Sequence, residues 1–397
     1  MNLIIWLSFL VSLALMIIIA RKNLWVGFIT GALVLGIFNL SFREVLIEIQ
    51  NTLTDPSILL LALAVGLIPL IGGALEVSGL MDDLVNNLKM KRKSFLAFGP
   101  AFLGMLPMPG GALLSAPLVL RAGLDISDDK YTAINVWFRH VLVLIYPLGA
   151  LLVTSKMANL SLYVAMLYII PGFIMMIILG YIFLLRGIHG NLKTSDNIIR
   201  KKIFIPVAII LSAPIIHLIL MSLFKNIIQE IPLSIGVLTS LILAFCFGKL
   251  NWKRIKPISL KMKPWKFFLI IIGMFLFLNM FKASNISKVI ADIVFCKSFL
   301  VVVIAAFLGF VTGRVQMPFA ILLPIYYSKF GVEAITYLVF AVMFFSIFMG
   351  YIISPVHPCV SVSIEFFGST LKDFFKRTIL PVAISLFVAF ILSIFCV

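Results

Sequence analysis

Lys93 to Pro117 reads KSFLAFGPAFLGMLPMPGGALLSAP, apolar enough to enter a membrane yet interrupted at its centre by Pro107, Pro109, Gly110 and Gly111. Proline removes a backbone donor and clashes with the preceding turn, and a Gly-Gly pair admits a tight reversal. One continuous helix is therefore excluded, and two short arms joined at a tip are predicted. An arm of about ten residues at 1.5 Å per residue is roughly 15 Å long, half of a hydrocarbon core of about 30 Å. The tip stops near the midplane, the geometry of a re-entrant hairpin. Irregular backbone at that depth is tolerated only against protein or a watery cavity, so the tip is a candidate binding site before any side chain is considered.

The stretch has a second copy. Lys297-Ser298-Phe299-Leu300 repeats Lys93-Ser94-Phe95-Leu96, Ala306-Phe307-Leu308-Gly309 repeats Ala101-Phe102-Leu103-Gly104, and a break from Thr312 to Pro318 follows. The match continues at an offset near 205 to 210. Leu24, Gly27 and Thr30 answer Leu233, Gly236 and Thr239; Pro147 answers Pro355, and Ile170-Pro171 answers Leu380-Pro381. Prolines and glycines recurring in one order indicate an internal duplication, two units facing each other across a pseudo-two-fold axis.

Composition agrees. Of 397 residues, 62% are hydrophobic and 12% charged, and the mean hydropathy of +1.19 belongs to a polytopic membrane protein. The formal charge of +17 sits in short loops between apolar runs, where it sets topology rather than binding nucleic acid. Residues 3 to 20 are read as a retained span. Cys246, Cys296, Cys359 and Cys396 have no paired spacing, and neither a disulfide framework nor a metal site is expected from them.

The predicted fold is all-α, with about ten spans and two hairpins in two inverted repeats of five transmembrane helices and one hairpin each. The first repeat covers 1–186: scaffold spans 1–79, arm 80–93, hairpin 94–120, broken span 131–155 and span 160–186. A cytoplasmic linker, 187–202, leads to the second, 203–397: scaffold spans 203–282, arm 284–297, hairpin 298–326, broken span 333–364 and span 372–396. An odd number of crossings per half inverts the second half. Of the 32 Lys and Arg, 23 then fall on one face and 7 on the other, with Arg139 and Arg314 inside the membrane. The bias places both termini outside.

In each half the span after the hairpin is broken by proline, at Pro147 and at Ser354-Pro355-Val356-His357-Pro358. Such breaks expose N–H groups on one half-helix and C=O groups on the other, and two breaks beside two tips offer donors to an anion and carbonyls to a cation. Four basic groups lie at unusual depth: Arg139, His140, Arg314 and His357. An Arg at the bilayer centre costs roughly 2.5 to 3.5 kcal/mol on insertion scales. No acidic residue falls in the same spans at that depth, so the missing partner is inferred to be a substrate anion. The competing readings are that Arg139 snorkels to the cytoplasm and that Arg314 caps carbonyls at its tip. His357 is either a proton carrier or a hydrogen-bonding spacer. Glu365 is the best coupling carboxylate or a solvated surface group. The substrate-binding set is thus Pro107, Pro109, Gly110, Gly111, Arg139, His140, Pro147, Thr312, Gly313, Arg314, Gln316, Pro318, Ser354, Pro355 and His357, with His357 and Glu365 for ion coupling.

The order of elements resembles the ion transporter superfamily, whose members carry dicarboxylates, citrate, gluconate, lactate and arsenite or exchange sodium for protons. LPMPGGALLSAPLV and SPVHPCVSV look like a DUF401-like branch of integral membrane proteins. The Ser-Asn-Thr hairpin motifs of sodium-dicarboxylate carriers are missing. The resemblance implies an elevator-like secondary transporter in the cell membrane, a homodimer in the lipid bilayer, whose hairpins and broken spans move past the scaffold. The expected substrate is a small anionic solute, a carboxylate or other oxyanion, coupled to H+ or Na+, with no cofactor and no catalytic residue. The alternatives are a sodium-proton antiporter and, less favoured, a carrier of a lipid-linked or amphipathic anion or an intramembrane enzyme. The spans contain no HExxH, GxSxG or paired aspartates, and no metal-ligand cluster is expected in them.

Overall fold

The computed structural model describes residues 2–20, 22–87, 91–105, 111–120, 126–190, 200–224, 227–284, 286 and 296–396. Among them the chain is helical throughout, without a strand. The helices are α1 (Asn2–Ala20), α2 (Leu24–Asn39), α3 (Phe42–Thr54), α4 (Pro56–Val77), α5 (Leu80–Asn87), α6 (Arg92–Gly104), α7 (Gly111–Leu120), α8 (Asp128–Ile145), α9 (Ala150–Met157) and α10 (Leu162–Leu185). They continue as α11 (Arg200–Leu223), α12 (Glu230–Phe247), α13 (Ile255–Met262), α14 (Pro264–Ala283), α15 (Phe299–Thr312), α16 (Gln316–Phe330), α17 (Tyr337–Ile352), α18 (Pro358–Phe367) and α19 (Leu371–Cys396).

Among the described residues six helices, α4, α10, α11, α12, α14 and α19, are long and apolar enough to cross a membrane. The bent pair α8 and α9, which meet at 43°, makes a seventh if counted as one span. The protein is membrane-embedded. α1, α2, α15, α17 and α18 are also apolar, over shorter lengths. Burial separates the roles of the long helices: α4 is 72% buried inside the protein whereas α10 is only 28% buried. High hydropathy with little burial is what a lipid-facing helix requires, because lipid replaces the protein core as the apolar partner.

α3 falls in residues the sequence reading left between spans. Its start is a capping box, in which the Ser41 N–H donates to Glu44 Oε2 at 2.7 Å and the Glu44 N–H donates to Ser41 Oγ at 3.4 Å. Phe42 and Leu46 are exposed, while buried Thr52 accepts from Asn279 Nδ2 of α14 at 3.0 Å. A short helix with exposed apolar residues and a charged start is suited to the membrane interface.

The helices form two groups. In the first, α1 packs on α2 and α11 on α12, and the pairs interlock through α2 on α14, α4 on α12 and α4 on α14. Ser12 Oγ donates to the Gly31 carbonyl across α1–α2 and Ser240 Oγ to the Ile209 carbonyl across α12–α11, both at 2.7 Å. In the second group α6 packs on α8 and α15 on α17, and α8 and α7 meet α18 while α9 meets α16.

The closest approach in the second group is made by backbone. A Cβ at Gly104 would lie 1.8 Å from the Arg139 carbonyl oxygen, and one at Gly309 would lie 2.1 Å from that of Ile347. Each alanine substitution is expected to push its helix pair apart at a cost of about 1 to 3 kcal/mol, read as a lower melting temperature of the purified protein. Unchanged melting in both variants would mean that these helices spread freely.

Candidate functional site

The site grows from three interruptions of helix. At the first, Pro147 drives Tyr146 into extended backbone (φ −70°, ψ 118°), and α8 ends at Ile145. The Gly149 N–H donates to the Tyr146 carbonyl at 3.2 Å, and α9 starts immediately afterwards. At the second, Pro358 holds His357 extended (φ −75°, ψ 121°) as the cap residue of α18. The His357 N–H donates to the Ser354 carbonyl at 3.1 Å, closing a turn after α17, while Ser354 Oγ accepts from the Val356 N–H at 3.3 Å. Two prolines in five residues thus take His357 out of both helices and fix its ring between them.

The third interruption joins α15 to α16. Gly313 is left-handed (φ +59°) and its N–H donates to the Gly309 carbonyl at 3.0 Å, ending α15. Thr312 Oγ1 donates back to the Leu308 carbonyl at 2.8 Å. Arg314 and Gln316 follow directly. A Cβ at Gly313 would stand 2.9 Å from both the His357 nitrogen and the Val356 carbonyl carbon, so this turn and the His357 turn touch through bare backbone.

All three interruptions border one cavity of about 410 Å³, within the usual size of small-molecule sites. One wall is apolar and comes from the first helix group: Leu24, Val65, Ile68, Phe267, Ile270 and Ile271. The polar lining comes from the second group, from Arg139, His140, Arg314, Gln316, Tyr351, His357 and Cys359, interleaved with apolar side chains such as Val143, Leu148, Val153 and Phe348. The starts of α9, α16 and α18 open onto it, and none of their cap residues, Gly149, Val315 and His357, supplies a side-chain hydrogen bond. First-turn N–H groups in that state carry partial positive charge toward the cavity.

Arg139, 5% exposed, reaches Ser115 Oγ of α7 at 3.5 Å. Neither it nor half-buried Arg314 makes an ion pair with any described acidic residue. His140 and His357 are both buried and face each other, Nε2 to Nε2 at 3.1 Å. The Tyr351 hydroxyl lies 3.2 Å from His140 Nε2, and His140 Nδ1 lies 2.6 Å from the Val136 carbonyl. Phe340, Phe344 and Phe348 stack along α17 behind this group.

Of the residues singled out in the sequence, Arg139, His140, Gly313, Arg314, Gln316 and His357 line the cavity together. Thr312, Ser354, Pro147 and Pro355 shape the turns that border it, and Pro318 is buried in the first turns of α16. Pro107, Pro109 and Gly110 lie outside the described residues, and Gly111 is the first residue of α7. Glu365 is exposed on α18 and does not line the cavity. Sequence reasoning missed Tyr351 and Cys359. The signal for Cys359 is its place two residues after His357 in the broken span.

A second polar cluster lies elsewhere. Glu230, 2% exposed at the start of α12, pairs with Lys156 of α9 at 2.5 Å through Oε1, and its Oε2 has no hydrogen-bond partner among the described residues. Nearby, the Tyr163 hydroxyl contacts His217 Nδ1 and donates to the Pro214 carbonyl, both at 2.9 Å.

The fold and cavity define the class: a helical integral membrane protein with a cavity between two helix groups, apolar on one side and carrying basic side chains on the other. The chain matches the family described as "protein of unknown function (DUF401)" over residues 4–395 and belongs to that family. No curated protein matches it.

Proposed function

We propose that this protein is a secondary active transporter of a small anionic solute, a carboxylate or other oxyanion, built on the plan of the ion transporter superfamily. One observation carries the reading: Arg139 and Arg314 border the same cavity without a carboxylate partner among the described residues. A guanidinium kept in an apolar span at a cost of roughly 2.5 to 3.5 kcal/mol needs a compensating charge, and a solute can bring it. The three uncapped helix starts add donors that suit the same anion.

The division of the cavity walls supports an elevator-like mechanism. Every polar group sits on the second helix group, and the first presents a wall of aliphatic side chains and one phenyl ring. An apolar wall offers no directional bond to break as the polar group slides along it. The helix pairs support two related repeats, since α1–α2, α2–α14 and α6–α8 correspond to α11–α12, α12–α4 and α15–α17. Counting α1, α2 and the pair α17 and α18 as spans would bring the seven long spans, bent pair included, to ten, and we read α6–α7 and α15–α16 as the arms of the two hairpins.

Ion pairs support the assignment of faces. Lys202–Asp83 and Lys261–Glu76, both 2.8 Å, and Arg377–Asp129, 2.5 Å, join groups assigned to the cytoplasm. Lys156, on the outer face under the same topology, pairs with Glu230 at the start of α12. We place the protein in the cell membrane with both termini outside, as a homodimer coupled to protons or sodium.

The test is thermal stability of the purified protein against carboxylates, phosphates, other oxyanions and lipid phosphates, each with and without sodium at two pH values. A ligand at 100 times its Kd stabilises by about 2.7 kcal/mol. One anion class should raise the melting temperature. A response confined to lipid phosphates would make the substrate amphipathic, and no response to any anion would end the anion reading.

A second reading, sodium-proton exchange, is favoured by buried Glu230, one oxygen of which has no partner among the described residues. Under it, Glu230→Gln abolishes exchange in proteoliposomes. Under the anion reading, the variant loses the link between α9 and α12 and alters transport rate while anion affinity is kept.

A further inference from the structure

We infer that His140, His357 and Cys359 form a site for a borderline-soft divalent d-block ion, of which zinc is the type. The ligand atoms of these three residues lie within 4.8 Å of one another. They come from different elements, His140 from α8, His357 from the α17–α18 turn and Cys359 from α18. The two imidazole Nε2 atoms are 3.1 Å apart. Two nitrogens each about 2.0 to 2.1 Å from a tetrahedral zinc ion lie roughly 3.4 Å apart, so the rings need separate by only a few tenths of an ångström.

Hydrogen bonding in the protein points to the same occupant. His140 Nδ1 is 2.6 Å from the Val136 carbonyl, so its proton sits on Nδ1 and the Nε2 lone pair is free. Both His357 Nε2 and the Tyr351 hydroxyl face that lone pair, at 3.1 and 3.2 Å. If His357 donates from Nε2, its Nδ1 is left as a buried acceptor, and that atom has no hydrogen-bond partner among the described residues. An ion on the two Nε2 atoms moves the His357 proton to Nδ1, beside the Gly313 backbone. The His140 ring then donates from Nδ1 to the Val136 carbonyl, the usual support for metal-bound histidine. Cys359 supplies the third ligand as a thiolate, with the Arg139 guanidinium beside it as a donor.

Three protein ligands leave one coordination position, and this one opens on the cavity. An anion drawn by Arg139 and Arg314 can fill it, a point that rests on the proposed function; the ligation itself does not. The site is outside the expectations drawn from sequence, which assigned these histidines to the anion or to proton coupling and gave Cys359 no role.

The experiment titrates cobalt(II) into the full-length protein in nanodiscs, with Cys246, Cys296 and Cys396 replaced by serine and no anion added beyond buffer. One equivalent is expected to bind, with a thiolate-to-cobalt charge-transfer band and the intense visible bands of a four-coordinate ion, both removed by zinc. Cys359→Ser should lose the charge-transfer band. Zinc X-ray absorption of the zinc-loaded wild type is a second measurement that needs no variant, and one sulfur at about 2.3 Å with nitrogens at about 2.0 to 2.1 Å is expected. Absence of the charge-transfer band, its persistence in Cys359→Ser, or a zinc shell without sulfur each overturns the inference. Because no transported anion is present, these results stand apart from the outcome of the anion screen.

Discussion

Arg314→Ala is expected to weaken binding of the stabilising anion by roughly 30- to 1000-fold, the equivalent of about 2 to 4 kcal/mol for truncating one partner of a buried charged hydrogen bond. The sign on stability is the opposite. Among the described residues Arg314 has no ion pair, so without anion its removal should leave the melting temperature unchanged or raise it, because a half-buried cation without a counter-charge is itself a cost. Arg314→Lys should recover only part of the affinity, since an ammonium keeps the charge but loses the planar fork. Isothermal titration together with melting curves reads both effects. An anion-induced stabilisation of full size in Arg314→Ala would remove this residue from the site.

Gly313→Ala carries the second large effect, through two separable causes. The residue is left-handed at φ +59°, which costs an alanine about 1 kcal/mol, and its Cβ would meet the His357 turn at 2.9 Å. Overpacking of that kind adds typically 1 to 3 kcal/mol. Gly368 supplies the control, since it is left-handed at φ +69° with nothing within 4 Å of its Cβ position. Gly368→Ala should therefore show the backbone cost alone. The difference between the two variants in melting temperature measures the contact with the His357 turn, and Gly313→Ala alone should also lose anion binding. Equal effects in both would mean that the turns do not constrain each other.

Much of the frame was legible because backbone chemistry is local. Pro147, Pro355 and Pro358 fall where the structure has its breaks, at 146–149 and 353–357, whereas Pro69, Pro171 and Pro381 lie inside continuous helices, so a proline does not by itself mark a break. Gly313 after an apolar run indicates a left-handed end to a helix in the same way. Arg139, His140, Arg314 and His357 were legible for another reason: a basic group in an apolar span is expensive enough to need an explanation. Glu365, selected by the same logic, faces away from the cavity, because a carboxylate near the end of a helix can reach water without a partner.

The sequence alone therefore determined the all-helical membrane class, the interruptions that make turns inside it, and the basic residues that cannot be idle. Tertiary structure alone decided which of them meet. Cys359 and Tyr351 are compatible with apolar surroundings and leave no mark on hydropathy, and their contact with His140 spans more than 200 positions of chain. Glu230 lies between spans, where a carboxylate ordinarily finds water, yet it is buried against Lys156. Such contacts depend on how α8 packs on α18 and α9 approaches α12. Helix packing follows from the complementarity of whole surfaces, which no local pattern of residues encodes.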